Sequence, residues 1–354
     1  MSKAQGLEEQ VLDALRQVRD PELGRDLVSL GMIQNLRASD GTVSFTVVLT
    51  TPACPMRAEI RNAAEAAVRR VPGVKEVKVE MSSKVAGRAA PPQQAALPGV
   101  KNVVAVASGK GGVGKSTVAV NLAVALAAEG AAVGLLDADI YGPSIPTMMG
   151  AAARPAVKND RLQPVERFGV KLMSLGFLIE ENTPVIWRGP MVAGAVRQLL
   201  QEVDWGELDY LVVDLPPGTG DAQLTLAQSV PLTGVVVVMT AQDVALNIAT
   251  KALRMFQKMD VPVLGVVENM SSFVCPHCGT ETAIFGRSGA GEEAARRLKV
   301  PFLGRVPLEP AIVEEGDRGT PALAAHPESR QAEAFRRVAR AMAGQVSVRN
   351  LTKE

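Results

Sequence analysis

The chain has 354 residues, more than one small hydrophobic core needs, and this length predicts two domains. Its 38 basic and 37 acidic side chains give a formal net charge of +1, so no global charge attracts nucleic acid or anionic lipid. Aromatic residues make up only 3% of the chain, and no apolar run has the length of a membrane span. We therefore expect a soluble protein with neither a nucleic-acid partner nor a membrane partner.

The cysteine content and the first residues indicate the cellular compartment. Three cysteines in so long a chain form no disulfide framework. The opening segment MSKAQGLEEQ lacks the apolar stretch of a secretion signal. We expect a reducing, cytoplasmic setting.

Residues 1–85 predict a small α+β domain. Apolar residues recur at helical spacing up to the Asp-Pro-Glu at residues 20–22, which ends the helix. Asp40 and Gly41 predict a hairpin turn that leads into a β-branched strand over residues 43–50. A helix over residues 57–70 and a strand that carries Val77, Val79 and Met81 complete the unit.

The rest of the chain predicts a doubly wound α/β domain with a mostly parallel sheet. Residues 86–98 are rich in Pro, Ala and Gln without apolar periodicity, which predicts a linker. Continuous apolar runs, typical of parallel strands covered on both faces, then alternate with helical stretches over residues 99–345. Residues 346–354 predict a polar tail. The predicted strands span residues 103–107, 132–137, 210–214, 235–239 and 263–267.

A phosphate-binding loop follows the first of these strands. Gly109, Gly114, Lys115 and Ser116 fit the pattern G-x-x-x-x-G-K-[ST], between a buried strand and a helix-forming run over residues 117–128. Backbone amides close around phosphate oxygens, Lys115 reaches the outer phosphates of ATP, and Ser116 ligates Mg²⁺. The loop residues expected to bind nucleotide are Gly109, Lys110, Gly111, Gly112, Val113, Gly114, Lys115, Ser116 and Thr117.

Carboxylates at strand ends extend this predicted site. Asp214 ends an apolar strand, where its carboxylate can hold Mg²⁺ through water. Asp137 and Asp139 follow another strand, and one of them can orient the attacking water. The residue pattern alone does not choose between these two.

With these residues in place, the sequence resembles the deviant Walker A ATPases, which include MinD, ParA and the nitrogenase iron protein. Their mark is a second lysine early in the loop, here Lys110. The resemblance implies that Lys110 reaches a partner's nucleotide in an ATP-bound homodimer, and that it is catalytic together with Lys115 and Asp139. It also implies that Asp139 activates water, Asp137 supports Mg²⁺ and Asp214 is the switch aspartate. Asn269 matches a position that contacts adenine, although it also fits a turn residue.

A cysteine pair predicts half of a metal site. Cys275 and Cys278 form the sequence CPHCG after the last predicted strand, and thiolates at this spacing can bind one metal. The remaining cysteine, Cys54, lies in the other domain, so a four-ligand site needs a second chain about a two-fold axis. Spacing alone fits zinc and an iron–sulfur cluster equally, and a disulfide or a metal-free turn also fits. We expect His277 to point away from such a site and His326 to lie on the surface.

The order of these segments resembles the Mrp/ApbC family of iron–sulfur cluster carrier ATPases over nearly the whole chain. The shared segments are GKGGVGKS, DADIYGPS, VDLPPGTGD and CPHC, preceded by a small α+β domain and a linker. The resemblance implies slow ATP hydrolysis and a [4Fe–4S] cluster that bridges a homodimer through Cys275 and Cys278. It further implies transfer to apo iron–sulfur proteins, with cluster-assembly factors as partners.

Alternative functions predict other features of the sequence. A MinD/ParA-like spatial-positioning ATPase with a structural zinc knuckle predicts a basic amphipathic C-terminal helix, whereas the end of the chain, VSVRNLTKE, is mixed in charge. An iron-protein reductase needs cysteines on separate loops.

The N-terminal domain resembles the small domain of iron–sulfur assembly proteins through Asp20-Pro21-Glu22 and the segment TPACP at residues 51–55. Cys54, just before a predicted helix, fits either a reactive thiol or a buried, inert cysteine. Asp20 and Glu22 also fit plain helix-stop and turn residues.

Overall fold

The computed structural model describes residues 3–87, 97–140, 142–178, 189–218, 227, 231–275, 277–286 and 289–352. The chain forms two compact units. The first comprises Met1–Ala86 and Ser347–Glu354, and the second comprises Gly87–Val346. In the described part of the chain, no helix is both long and apolar enough to cross a membrane. The predicted linker, residues 86–98, lies largely outside the described residues.

The first unit is a three-stranded sheet with two helices, as the sequence predicts. Strand β2 pairs antiparallel with β1 and parallel with β3. Asp40 and Gly41, with φ of 53° and 84°, form the predicted turn between β1 and β2, where glycine and aspartate tolerate positive φ. The elements are α1 (Lys3–Leu15), β1 (Ile33–Ser39), β2 (Thr42–Leu49), α2 (Arg57–Arg69) and β3 (Glu76–Ser83).

Apolar side chains from one face of this sheet and from both helices form the core of the first unit. Val11 and Leu15 of α1, Phe45 of β2 and Ile60 of α2 are all buried in one cluster. Their spacing along each helix and strand is what the sequence pattern predicts for half-buried elements.

The second unit contains one large sheet, to which nine strands of the described residues belong. Two further short strands, β6 and β7, form a separate hairpin. The strands are β4 (Val103–Ser108), β5 (Val133–Asp137), β6 (Val157–Lys158), β7 (Arg161–Leu162), β8 (Val165–Arg167), β9 (Val170–Ser174), β10 (Tyr210–Asp214), β11 (Gly234–Met239), β12 (Val263–Val274), β13 (Glu281–Thr282) and β14 (Phe302–Leu308).

Helices connect and cover these strands. The helix α3 is buried on nearly all sides and contacts β4, β5 and β10, as expected for the helix that follows a phosphate loop. The helices are α3 (Lys115–Ala128), α4 (Ile145–Met148), α5 (Gly189–Glu202), α6 (Asp243–Lys258), α7 (Ala290–Leu298), α8 (Pro310–Asp317), α9 (Ala322–Ala325) and α10 (Arg330–Leu351).

The strand order explains why the predicted site residues meet. The order is β14, β12, β11, β4, β10, β5, β9 and β8, with β13 also beside β12. All pairs are parallel except β8 with β9 and β12 with β13. The five predicted strands of this unit are therefore confirmed as neighbours in a mostly parallel sheet. Asp214 lies beside Asp137 in the register, so their side chains share the carboxyl edge of the sheet.

The end of the chain differs from the expected polar tail, because α10 continues to Leu351. Val346 and Ser347 are buried, which stabilises the helix where charge pattern alone predicts a tail. Within the first unit, Asn350 Nδ2 donates to the carbonyl oxygen of Ala86 at 2.9 Å.

Candidate functional site

The loop between β4 and α3 has the backbone shape that a phosphate cradle requires. Gly112 and Gly114 both have φ of 76°, a conformation that favours glycine. A Cβ on Gly114 would lie 2.2 Å from Asn269 Nδ2, so this position has no room for a side chain. The helix α3 begins directly after it, at Lys115. Its positive end and its free amides therefore border the loop.

Lys115 is the cation at the centre of the site. Its Nζ lies 2.6 Å from Asp214 Oδ1 and 3.5 Å from Asp139 Oδ2. Ser116 Oγ donates to Asp214 Oδ2 at 2.5 Å. Lys115 is 6% exposed and Asp214 is fully buried. One buried cation thus faces two carboxylates, an arrangement that attracts a further positive charge.

Asp137 and Asp139 differ in how their carboxylates are held. Asp137 Oδ1 accepts from the backbone N–H of Asp139 at 3.1 Å, and its Oδ2 accepts from Ser174 Oγ at 3.0 Å and from Ile145 N at 3.4 Å. Asp139 is also buried, but its Oδ1 has no hydrogen-bond partner among the described residues. Asp137 is therefore fixed in place, whereas Asp139 keeps one acceptor atom free in the site.

Burial governs the charge of these groups. It raises the pKa of Asp137 to about 7, and repulsion by Asp214 adds to the effect. Burial likewise raises the pKa of Asp214, although the ammonium of Lys115 opposes the shift. A cation bound beside these carboxylates stabilises their ionised form.

A magnesium ion fits this donor set. Mg²⁺ prefers hard oxygen ligands and keeps several waters. The site offers the Ser116 hydroxyl, the Asp214 carboxylate and, close by, the free Oδ1 of Asp139. A divalent cation bound here would lower the raised pKa values of these carboxylates, because it favours their ionised form.

The second lysine of the loop bonds within its own chain. Lys110 Nζ donates to Gln242 Oε1 at 2.7 Å, and Gln242 immediately precedes α6. Ser108 Oγ donates to the carbonyl oxygen of Lys110 at 2.9 Å, which fixes the backbone there. The two lysines of the loop therefore have different partners: Lys115 meets carboxylates and Lys110 meets a neutral amide.

Asn269 supports the loop from the neighbouring strand. It lies in β12, so the alternative interpretation of Asn269 as a turn residue is wrong. Its Nδ2 donates to the carbonyl oxygen of Val113 at 2.9 Å, and its side chain is buried. The expected contact with adenine stays a prediction.

The cysteine pair lies on an open hairpin at the end of β12. Cys275 N donates to Thr280 O at 3.0 Å and Gly279 N donates to Cys275 O at 2.9 Å, which closes the loop. Cys275 is half-buried and Cys278 is exposed. Pro276, between them, lies outside the described residues. Across the described ranges, no group of three or more Cys, His, Asp or Glu side chains could hold a metal ion.

The two thiols have different surroundings. Cys278 Sγ lies 3.1 Å from Thr280 Oγ1. The pKa of Cys278 is lowered from its ordinary value, first by the Thr280 hydroxyl, then by the Thr280 backbone N–H and by Cys275. His277 is exposed, and His326 is exposed as the sequence predicts.

In the first unit, the structure favours the inert interpretation of Cys54. Its side chain is buried, and burial raises the pKa of its thiol to about 11, so the thiolate is scarce at neutral pH. Asp20 Oδ1 accepts from the backbone N–H groups of Glu22 and Leu23 at 2.8 and 3.0 Å. Asp20 therefore holds a turn.

Three residues with contacts at the nucleotide site or the cysteine hairpin, Ser174, Gln242 and Thr280, were not anticipated from the sequence, and neither was the buried Glu268. Ser174 pairs with Asp137 in the register of β9 with β5. The sequence feature that could have indicated Ser174 is a polar residue at the end of an apolar run. Glu268 is fully buried and accepts from the backbone N–H groups of Gly289 and Gly291 at the start of α7. Gln242 and Thr280 depend on contacts across loops, which no spacing rule reveals.

Comparison with known proteins agrees with this geometry. Residues 99–343 match the family described as NUBPL iron-transfer P-loop NTPase, and residues 8–81 match the family described as iron–sulfur cluster assembly protein. The chain is 54% identical over 344 residues to an iron–sulfur cluster carrier protein of Synechocystis sp., a match that covers 96% of this chain and 97% of that protein.

Two solved structures share the fold of the second unit. A nucleotide-binding protein from Archaeoglobus fulgidus, in complex with ADP, has a TM-score of 0.59 and 42% identity, covering 68% of this chain and 93% of that one. The cell division ATPase MinD of Pyrococcus furiosus, at 22% identity, has a TM-score of 0.52 and covers 68% of this chain and 97% of its own. That second likeness shows the fold alone. From its two family matches and its carrier relative, the chain belongs to the iron–sulfur cluster carrier (Mrp/ApbC/NUBPL) family of ATP-binding P-loop NTPases, with an N-terminal domain of the iron–sulfur assembly type.

Proposed function

We propose that this protein binds one [4Fe–4S] cluster between two copies of the chain and transfers it to apo iron–sulfur proteins, in a cycle with slow ATP hydrolysis. The observation that carries the proposal is the open hairpin, where two thiols stand without further ligands among the described residues. A four-iron cluster takes four cysteine thiolates. Cys275 and Cys278 of two chains supply that set when the hairpins face each other.

The nucleotide site supports the second half of the proposal. We assign the backbone of residues 109–117 to the phosphates and Lys115 to the outer phosphates. Ser116 and Asp214 hold Mg²⁺, and Asp137 supports it. Asp139 orients the attacking water, because its Oδ1 is buried beside Lys115 with no partner among the described residues. The ADP complex of the similar Archaeoglobus protein supports nucleotide binding by this chain.

Lys110 gives a physical reason for dimerisation on ATP. Its ammonium bonds to Gln242 within the chain and not to the carboxylates of the site. We assign Lys110 to the nucleotide of the partner chain, which requires that it leave Gln242. ATP then stabilises the dimer because the lysine exchanges a neutral amide for phosphate oxygens, a stronger, charge-assisted contact.

The remaining assignments concern organisation and partners. We propose a small domain over residues 1–85, a linker over residues 86–98, an ATPase domain over residues 99–345 and a final segment over residues 346–354. The two family matches, at residues 8–81 and 99–343, support the first and third of these. We also propose apo iron–sulfur proteins and cluster-assembly factors as partners, which the similarity to an iron–sulfur cluster carrier protein supports.

Anaerobic reconstitution with iron and sulfide tests the proposal. The wild-type protein should bind about four iron atoms per two chains, with the absorption of a [4Fe–4S] cluster, and should elute as a dimer. A variant with Cys275→Ser and Cys278→Ser should bind no iron yet still bind ATP. The matched control is Cys54→Ser, which should keep the full iron content because Cys54 is buried in the other unit.

Two results would overturn the proposal. A full metal centre on a monomer would show that one chain supplies all the ligands. Stoichiometric zinc in the purified wild type, with unfolding of the double serine variant, would make the hairpin a structural knuckle. The spatial-positioning ATPase would then be the better description of this chain.

A further inference from the structure

The hydroxyl group of Thr280 lies within hydrogen-bond distance of one cysteine of the pair. Its Oγ1 lies 3.1 Å from Cys278 Sγ. Thr280 does not swing freely, because its carbonyl oxygen accepts from Cys275 N at 3.0 Å and the next residue begins β13. That strand pairs with Phe273 and Val274 of β12. The hydroxyl is therefore held beside Cys278 by the backbone of the hairpin itself.

The direction of this hydrogen bond depends on the state of the sulfur. A neutral thiol donates its proton to the hydroxyl oxygen, as the contact stands in the metal-free chain. A cysteine that binds iron is a thiolate and has no proton to give, so the hydroxyl must then donate to the sulfur. Hydrogen bonds to a ligand sulfur withdraw electron density from it, weaken the iron–sulfur bond and tune the potential of the cluster.

The two cysteines are therefore unequal ligands. Cys275 follows directly on β12, is half-buried, and has its backbone N–H and carbonyl both bonded within the loop. Cys278 is exposed and carries the Thr280 contact. In the single chain, Cys278 is the thiol more open to solvent. A ligand that is more exposed and whose sulfur accepts a hydrogen bond departs more readily in an exchange.

We propose that Thr280 is a positioning residue whose hydroxyl bond to Cys278 makes that cysteine the first ligand released when the cluster passes to an acceptor. This inference rests on the proposed function, since it assumes a cluster at Cys275 and Cys278. It adds an order of ligand release and a residue that sets it.

The step is a ligand exchange without a change of oxidation state. A cysteine of the acceptor loses its proton to solvent, and its thiolate forms a new bond to iron with a sulfur electron pair. The bond between iron and Cys278 Sγ breaks, and its electron pair stays on that sulfur. The Thr280 hydroxyl stabilises the departing thiolate until solvent protonates it.

Thr280→Val removes the hydroxyl but keeps the branched shape, and Thr280→Ser restores the hydroxyl as the matched control. Both full-length variants are reconstituted to the same iron content as wild type. The rate of transfer to an apo iron–sulfur acceptor should fall about tenfold in the valine variant, the smallest loss expected when a ligand loses its hydrogen-bond partner, because this site is exposed. The serine variant should transfer at nearly the wild-type rate.

Two spectroscopic readouts separate a hydrogen bond from a general defect in folding. In the valine variant the cluster should have a more negative reduction potential, and the iron–thiolate stretching frequencies in resonance Raman spectra should rise, because the sulfur recovers electron density. A valine variant equal to wild type in potential, frequencies and transfer rate would overturn the inference. Equal losses in the valine and serine variants would also overturn it, because a lost hydroxyl would then not be the cause.

These outcomes are distinct from failure of the proposed function. If wild type takes up no iron at the cysteine pair, the proposed function fails before any Thr280 variant is compared. If wild type loads and transfers a cluster and Thr280→Val matches it, only the order of release fails.

Discussion

The nucleotide site and the cysteine hairpin belong to the same unit of the chain, yet they are built in opposite ways. The nucleotide site is buried, and strand ends, a helix start and a loop from one chain converge on Lys115 and its carboxylates. The hairpin is open, with Cys278 exposed and Cys275 half-buried. Among the described residues, the first site brings together a lysine, a hydroxyl and carboxylates, whereas the hairpin brings together two thiols.

This difference explains what each region can do. Under the proposed function, the buried carboxylates and Lys115 bind Mg²⁺ and nucleotide, and Asp139 orients the one water that hydrolysis consumes. Under the proposed function, the exposed pair of thiols needs a second pair to hold a cluster. We propose that ATP-dependent dimerisation controls cluster release at the hairpin.

The largest expected effect tests whether the two sites are separable. Lys115→Ala should weaken productive ATP binding so far that ATP turnover falls by at least about 10²- to 10³-fold, because the outer phosphates lose their cation. Iron loading should be unchanged, because the hairpin lies on other strands. Radiolabelled nucleotide binding and iron content measured on the same sample provide the check. Undiminished ATP hydrolysis in this variant would refute the nucleotide assignment.

A smaller effect should distinguish the roles of the two aspartates at the end of β5, Asp137 and Asp139. Asp139→Asn should bind ATP with wild-type affinity but hydrolyse it about 10²-fold more slowly, because an amide positions water without accepting its proton. Single-turnover hydrolysis and equilibrium binding separate the two quantities. Wild-type turnover in this variant would move the role to Asp137, whose carboxylate oxygens are already bonded to Ser174 and two backbone amides.

The sequence predicts more of the nucleotide site than of the hairpin, and the reason is geometric. The parallel sheet brings Asp137, Asp214 and the loop to one edge, so strand order alone is enough to place them together. Lys110 and Cys278 have partners, Gln242 and Thr280, that depend on how loops fold back on one another. Among the residues that the structure describes, Asp139 Oδ1 has no hydrogen-bond partner, which is likewise a property of packing that no sequence motif predicts.

The helix α10 shows another limit of sequence reasoning. Residues 346–354 are polar and mixed in charge, and the pattern predicts a tail, but burial of Val346 and Ser347 extends the helix to Leu351. Local composition cannot reveal a contact made with a distant part of the chain. Cys54 is a similar case, because its position before α2 favours a thiolate and its burial opposes one.

The charge state of Asp137 yields a prediction in pH. Its pKa is raised from the ordinary 3.8 to about 7, so in the ligand-free protein it contributes stability that is full below pH 3.8 and lost as pH rises through 7. Asp137→Asn should remove this loss, and ligand-free wild type should become less stable than the variant as pH rises from 4 to 8. Thermal unfolding across this pH range provides the measurement.

The same titration should appear in Mg²⁺–nucleotide binding. Mg²⁺ favours the ionised carboxylate. As pH rises toward 7, the affinity of wild type for Mg·ADP should therefore rise by up to about tenfold per pH unit. The phosphates of the nucleotide also titrate. The control is Asp137→Asn, in which the pH dependence of Mg·ADP affinity comes from the nucleotide and not from residue 137. Parallel pH profiles for wild type and variant would contradict the raised pKa of Asp137.

The smallest expected effect concerns the contact between Lys110 and Gln242, which links the nucleotide site to the proposed dimerisation. If the 2.7 Å bond holds Lys110 in its own chain, Gln242→Ala should free the lysine for a partner's nucleotide. A half-buried bond of this kind contributes about 1 kcal/mol, so ATP-dependent dimerisation should tighten by about fivefold for each of the two chains whose lysine is freed. Sedimentation with a non-hydrolysable ATP analogue measures this affinity. In a Lys110→Ala background the substitution at Gln242 should have no effect, because the two residues act through one contact. The same shift in both backgrounds would show that Gln242 acts on the dimer by another route, and that Lys110 is not restrained by it.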